Sequence, residues 1–376
     1  MAKYSVILTL HETEGNEIAV GDVRPIAEEL NWTKARTSTG VDSINFKVND
    51  KLLDKWARER GYTINDLLRP YALEAVVLRE GEPLVGGFLA TMPAYQPLNA
   101  SAALSMRFDG WMNLLAGCYL RPRVRQSKPA GIMVADWIDE ADTRSHNAGK
   151  AFNFHRGYIS SLATVERTFD SYKTIKEAIT QLCDNVDGAG PFDVIFAPDR
   201  TYTITNALGR EIEDWALHYP ASFEGTGVAS ISAPEVQGFA SHVITLGSGE
   251  TSADPVKSTV VTSEATDRYG VKEYGYVEML TQYSSISRQS TLDNRCATDL
   301  AYASYIQWQP DVTLFGIQTP PSPTAEHGLW IGDRIDLINT ADLTGQTSGR
   351  FKVNQIEVTV GATGAESVKP TLERIA

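Results

Sequence analysis

The sequence predicts a multidomain, mainly β chain with an α+β insert, in which a β-rich region stands at each end and α+β modules lie between. Three observations carry this expectation. Short runs of alternating apolar and polar residues crowd both ends of the chain. Helical spacing is strongest in the middle. The length of 376 residues also calls for several domains, at roughly 100–200 residues each.

Residues 4–9 (YSVILT) and 17–23 (EIAVGDV) read as strands joined by a turn at Gly15-Asn16, and NFKV at 45–48 as a third. Asn49-Asp50 offers a helix cap, Leu52, Leu53, Trp56 and Ala57 follow at helical spacing, and Gly61 ends the turn. A meander follows: 74–79, 83–92 and 101–108, closed by Asp109-Gly110 and a short apolar helix from Trp111 to Leu115. These elements predict a small barrel or sandwich over residues 1–120.

RPRVRQSKP (121–129) is the most basic run and, punctuated by Pro122 and Pro129, reads as a linker. It opens an α+β module over 121–236, with a helix around 132–142 and polar, irregular chain over 143–172. Thr174 and Glu177 then form a capping box ahead of Ile175, Ala178, Ile179 and Leu182 on one helix face. Gly188 to Pro191 stops that helix, and 192–198 pairs with 200–205 as a hairpin across Asp199. A mixed module, 237–304, holds strands at 238–248 and 269–280 and a helix at 288–305. The last β region, 305–376, holds strands at 330–338, 350–360 and 368–375. Within 350–360 the alternation slips between Val353 and Ile356, which predicts a β-bulge.

Composition narrows function. The chain is 42% hydrophobic and 22% charged, with 34 basic against 47 acidic residues and a net charge of -13. Such a surface repels phosphates, which disfavours DNA coating or sequence reading. Cys118, Cys183 and Cys296 are far apart, with no metal-ligand spacing. Cys183 and Cys296 fall on apolar helix faces, where a thiol acts as a small hydrophobe. The opening MAKYSVILTLHETEG alternates too much for a signal peptide, and no run is long and apolar enough to span a membrane.

The sequence nominates no catalytic residue, no cofactor-binding residue and no metal ligand. Nucleophile-elbow, zincin and phosphate-loop patterns are absent. His11, His146, His155, His218, His242 and His327 are scattered. Gly247-Ser248-Gly249 follows a strand, but Glu250 to Pro255 open no helix that could receive a phosphate. Asp136, Asp139, Glu140 and Asp142 cluster without a calcium-loop pattern. The seven tryptophans are scattered singly, as small cores or subunit interfaces require.

Taken in order, several segments resemble the siphophage tail-tip hub family, the tail-associated proteins. GVDSINFKVNDKLLDKW (40–56), EAVVLREGEPLVGGFLATMP (74–93) and SMRFDGWMNLLAGCYLRPRV (105–124) are similar to its first domain and exit. FDSYKTIKEAITQLCDNVDGAGPFDVIFAPDRTYTI (169–204) resembles its helix and hairpin. SHVITLGSGE (241–250), TDRYGVKEYGYVEM (266–279) and TLDNRCATDLAYA (291–303) follow in the expected order. IGDRIDLINT (331–340) and QIEVTVGATGAESVKPTLERI (355–375) resemble the closing barrel. The layout is also similar to hubs of contractile phages and to the base of type VI secretion spikes.

The resemblance implies two tube-like β-barrel domains flanking α+β modules. It implies a non-enzymatic structural protein of the virion, assembled in the host cytoplasm. A homotrimer would present a pseudo-sixfold ring to the tail tube or distal tail protein above, and meet a tip fibre, spike or tape-measure protein below. DNA would pass the lumen during ejection without sequence-specific binding. Three rivals stay open: a distal tail ring or receptor-binding tail component, a tail-borne cell-wall hydrolase, and a soluble bacterial β-rich binding protein.

Overall fold

The computed structural model describes residues 2–13, 16–93, 103–122, 125–169, 171–183, 191–220, 226–232, 235–237, 239–247, 262–268, 271–272, 275–283, 286, 289–304, 307–342 and 347–375. The expected turn at Gly15, the helix stop at Gly188 and the stretch from Ser248 to Pro255 lie outside them.

The N-terminal unit is a seven-stranded antiparallel sheet. Its strands are β1 (Tyr4–Thr13), β2 (Asn16–Asp22), β3 (Ala27–Ala35), β4 (Ser43–Asn49), β5 (Leu73–Arg79), β6 (Glu82–Leu89) and β7 (Ala103–Gly110). Their order is β2-β1-β5-β6-β7-β4-β3. Val6, Leu8 and Leu10 of β1, Leu30 and Trp32 of β3, and Ile44, Phe46 and Val48 of β4 alternate into the core. Helix α1 (Asp50–Arg58) covers it with Leu53, Trp56 and Ala57. Its start is set by Asn49, whose side chain accepts from the Lys51 and Leu52 amides, and Gly61 leaves the next turn at φ 85°. The short α2 (Ile64–Leu67) has its own capping box, Thr63 with Asp66.

The first insertion packs around a second apolar cluster. It holds β8 (Tyr119–Leu120), β9 (Gln126–Pro129), α3 (Ala130–Asn147), β10 (His155–Ile159), β11 (Thr164–Arg167), β12 (Lys173–Thr174), α4 (Ile175–Cys183), β13 (Asp193–Phe196) and β14 (Thr201–Thr205). The Thr174–Glu177 capping box is present in both directions, each contact 3.2 Å. The hairpin across Asp199 forms as β13–β14. The basic run differs from the expected linker: its second half is β9, which pairs with β11, and Arg125 bonds Glu166 at 2.7 Å. Four residues paired on one side leave too little pattern to read. The stretch expected to be irregular likewise holds the end of α3 and two strands.

The C-terminal unit is a closed ring of β15 (Leu217–Tyr219), β16 (Thr226–Ile231), β22 (Val312–Phe315), β23 (Arg334–Asn339), β24 (Gly349–Val360) and β25 (Glu366–Arg374). Its order is β24-β23-β15-β16-β22-β25, and β24–β25 pairing closes it. Val312, Leu314, Ile335, Leu337, Phe351, Val353, Val368 and Leu372 are buried together, so the ring encloses packed side chains rather than a bore. Two of its strands lie in the segment 121–236 expected to belong to the α+β module. β15 has only three residues, and β16 carries Gly227, Ala229 and Ser230 among its six, with Gly227 beneath Phe315 and Gln318. Nothing in their spacing marks them as strands.

The second insertion leaves and rejoins the ring through β17 (Glu235–Gln237) and β21 (Gln307–Gln309), which pair as a stalk. It carries β18 (His242–Leu246), β19 (Thr262–Thr266) and β20 (Glu278–Gln282) under α5 (Gln289–Ala303). A small core joins Val243 and Cys296. The two large units meet through β3, which pairs with β4 on one side and with β24 from Gln355 to Val360 on the other. The fold is thus multidomain and mainly β, with α+β insertions. No helix of the described residues is long and apolar enough to cross a membrane.

Candidate functional site

The phase slip read from the sequence is a bulge: the register of β24 against β25 shifts between Val353 and Gln355. A bulge re-aims the extra residue, here Asn354, which is 5% exposed. Its Oδ1 accepts from Arg36 Nη1 at 2.8 Å, and its Nδ2 donates to Glu373 at 2.7 Å. Its carbonyl accepts from the Arg36 amide at 2.9 Å and from Thr39 Oγ1 at 3.1 Å.

The same Arg36 guanidinium grips Asp193 of β13 through Nε and Nη2, the latter at 3.0 Å. One buried side chain therefore joins the N-terminal sheet, the first insertion and the ring. Thr37 adds a reciprocal pair with Val194, donating to its carbonyl at 2.6 Å and accepting from its amide at 2.8 Å. Lys34, facing inward on β3, donates to Asp42 at 2.6 Å and to the Phe196 carbonyl at 2.7 Å. Such charges are tolerated inside because each meets an opposite charge or a carbonyl. Burial, and then the nearby Arg36 cation, hold the Lys352 ammonium below its usual range.

Two further ties surround this junction. Arg200 of the β13–β14 turn donates to Glu74 and, at 3.0 Å, to the Phe152 carbonyl, while stacking 4.9 Å from the Trp111 ring. Burial raises the Glu74 carboxyl even though Arg200 and His11 oppose it. His11 reaches Glu17 at 2.6 Å. Burial alone would raise the Glu17 carboxyl, but the His11 hydrogen bond and the Arg200 charge outweigh it, and the net shift is downward. On the ring side, Glu366 accepts from Arg79 Nη2 at 2.7 Å, Arg79 Nε at 3.1 Å and the Tyr4 hydroxyl at 2.7 Å. Burial first, and then Glu366, push the Tyr4 phenol far up.

Apart from His11, the residues weighed for chemistry lie elsewhere. Asp136 and Asp139 pair with Arg156, and Asp139 also accepts from Tyr202 at 2.7 Å. His146 lies in the last turn of α3, His155 opens β10, His242 bonds Thr266 and His327 packs on Trp215. Cys183 and Cys296 are buried, the latter 3.4 Å from the Val243 carbonyl. Cys118 is half-buried, and burial raises its thiol. Among the described residues, no group of three or more histidines, cysteines and acids is placed to hold a metal. The junction residues Arg36, Asp193 and Glu366 carry no motif. Only the slip before Ile356 marked the place.

No family model matches the chain, and no curated protein sequence matches it. Solved structures do. The chain is similar to a tail protein from Neisseria meningitidis at 12% identity, with a TM-score of 0.63 over 99% of this chain and 96% of that one. It is similar to the 43 kDa tail protein of prophage MuSo2 from Shewanella oneidensis at 12% identity and a TM-score of 0.63, over 99% and 97% of the two chains. The prophage tail protein gp18 from Listeria monocytogenes matches at 13% identity and a TM-score of 0.56, over 98% and 94%. At these identities the likeness is one of fold. It spans both β units and both insertions, and it meets the resemblance read from the order of the sequence segments.

Proposed function

We propose that this chain is a structural component of a phage-type tail, and within the tail the hub at its tip. The observation that carries the reading is the edge-to-edge fusion of two β units through β3 and β24. One chain then supplies two adjacent segments of a ring, and three chains supply six, which matches a sixfold tube to a threefold tip. The Arg79–Glu366 ion pair and the hydrogen bond from Arg36 to Asn354 hold the two segments at one angle, as a docking ring needs. Because the closed unit is packed solid, DNA would travel between subunits around the axis. The net charge of -13 suits a wall that phosphates slide past. The tail tube or distal tail protein would sit above, and a fibre, spike or tape-measure protein below. The chain has no assigned catalytic role in this reading.

Native mass spectrometry of the purified protein, alone and with tail partners, tests it. A trimer supports the hub. A hexamer moves the chain to the distal tail ring, and a monomer under every condition removes the ring. A clearing band in zymograms of host cell walls would make the chain a hydrolase instead.

A further inference from the structure

We propose that the cleft between the N-terminal sheet and the first insertion binds a small amphipathic carboxylate, an apolar body about the size of a phenyl ring ending in one carboxylate group. This does not rest on the hub reading. The cleft holds about 240 Å³ and is lined by residues of β1, β5, β6, the end of α3 and the β13–β14 turn. That is the volume of roughly eight waters at about 30 Å³ each, or of one aromatic group with a short tail. Junctions between modules are where such pockets form.

The lining sorts the ligand. Phe88 and Leu114 give an apolar wall, Phe152 another, and Tyr71 at the mouth stacks on Phe88 at 5.3 Å while 57% exposed. On the floor, Arg200 is already committed to Glu74, to the Phe152 carbonyl and to the Trp111 face. Lys150 differs. It lines the cleft half-buried, and its ammonium donates to the Tyr71 carbonyl at 2.7 Å. Among the described residues no carboxylate pairs with it. Burial pulls this ammonium below its usual range although Glu74 opposes the shift, so an incoming anion would gain more there than at an open surface.

Backbone strain gathers at the same place. Of five non-glycine residues with positive φ among the described residues, Tyr71 (61°) and Arg200 (66°) line the cleft. A third, Asn153 (57°), follows Phe152. Residues kept in this region at a cost cluster at ligand clamps.

The test is saturation-transfer NMR on the full chain with 3-phenylpropionate and its uncharged counterpart 3-phenylpropan-1-ol. The acid should bind about tenfold more tightly than the alcohol. Lys150→Gln should erase that preference and Lys150→Arg should keep it. Ala148→Trp, at an exposed position on the rim, should abolish binding of both probes while circular dichroism stays unchanged. No transfer to either probe, equal affinity for the two, or normal binding by the Ala148→Trp variant would each overturn the proposal and leave the cleft an imperfectly filled junction. A further arm separates two sources of the same chemistry. Acetyl-Ala-Phe with a free C-terminus binding at least as tightly as the acid, and its amide not binding, assigns a peptide C-terminus. The reverse order assigns a free small acid.

Discussion

The N-terminal sheet and the C-terminal ring are both β, and they share one apolar cluster, yet they are held in opposite ways. In the ring each of six strands has neighbours on both sides, so no backbone edge is left open and alternate side chains fill the interior. The seven-stranded sheet ends on β2, and its other end strand, β3, is completed by a strand of the ring. It leans on its neighbours through charges: Arg36 on Asp193, Glu74 on Arg200, Arg79 and Tyr4 on Glu366. The ring is closed by its own strand pairing and filled by apolar side chains, and its buried Asp333 is held by Arg210 rather than by the sheet. The sheet trades independence for a fixed angle to two other modules, and directional buried polar contacts set an angle better than oil-like packing does.

Breaking the polar side of this comparison should cost most. Asp193→Ala leaves the Arg36 guanidinium buried without its carboxylate and should destabilise the chain by about 3–5 kcal/mol in urea unfolding. Replacing both partners, Arg36→Met with Asp193→Leu, should recover most of the loss. Leu337→Ala opens a cavity inside the ring and should cost about 2–5 kcal/mol. If the ring is the self-sufficient unit, calorimetry of the Asp193→Ala variant will keep a ring transition near the wild-type temperature, whereas Leu337→Ala will lower it. Asn354→Ala removes the bulge side chain that satisfies Arg36 and Glu373 and should cost about 1–3 kcal/mol. Asn49→Ala removes the α1 cap, a local device on the sheet side, and should cost about 1 kcal/mol. Ala19→Lys on the exposed face of β2 should change stability by less than about 0.5 kcal/mol.

Legibility cut across this divide. Strands with clean alternation, such as β1 and β4, were readable, as were the Asn49 cap, the Thr174–Glu177 box and the bulge in β24. The strand that unites the halves, β3, was not. Its inward face carries Lys34, and its pairing with β4 shifts register between Ala27 and Glu29, so the apolar period breaks twice. β15, only three residues long, and β16, half of it Gly, Ala and Ser, give no strand pattern, which moved the expected module boundary. The junction residues were hidden for another reason: Arg36, Asp193 and Asn354 are far apart in sequence, and only the closed topology brings them together. Polar residues that are buried through long-range pairing look like surface residues until the pairing is known.

The most direct test of the central claim, that one chain contributes two ring segments at a fixed angle, is single-particle electron microscopy of the assembled protein viewed down its axis. Three chains giving six similar β units around a central lumen, with the Arg36–Asn354 contact inside each chain, is the expected result. Six chains around the axis, or an assembly in which the sheet and the ring of one chain take variable angles, would contradict it.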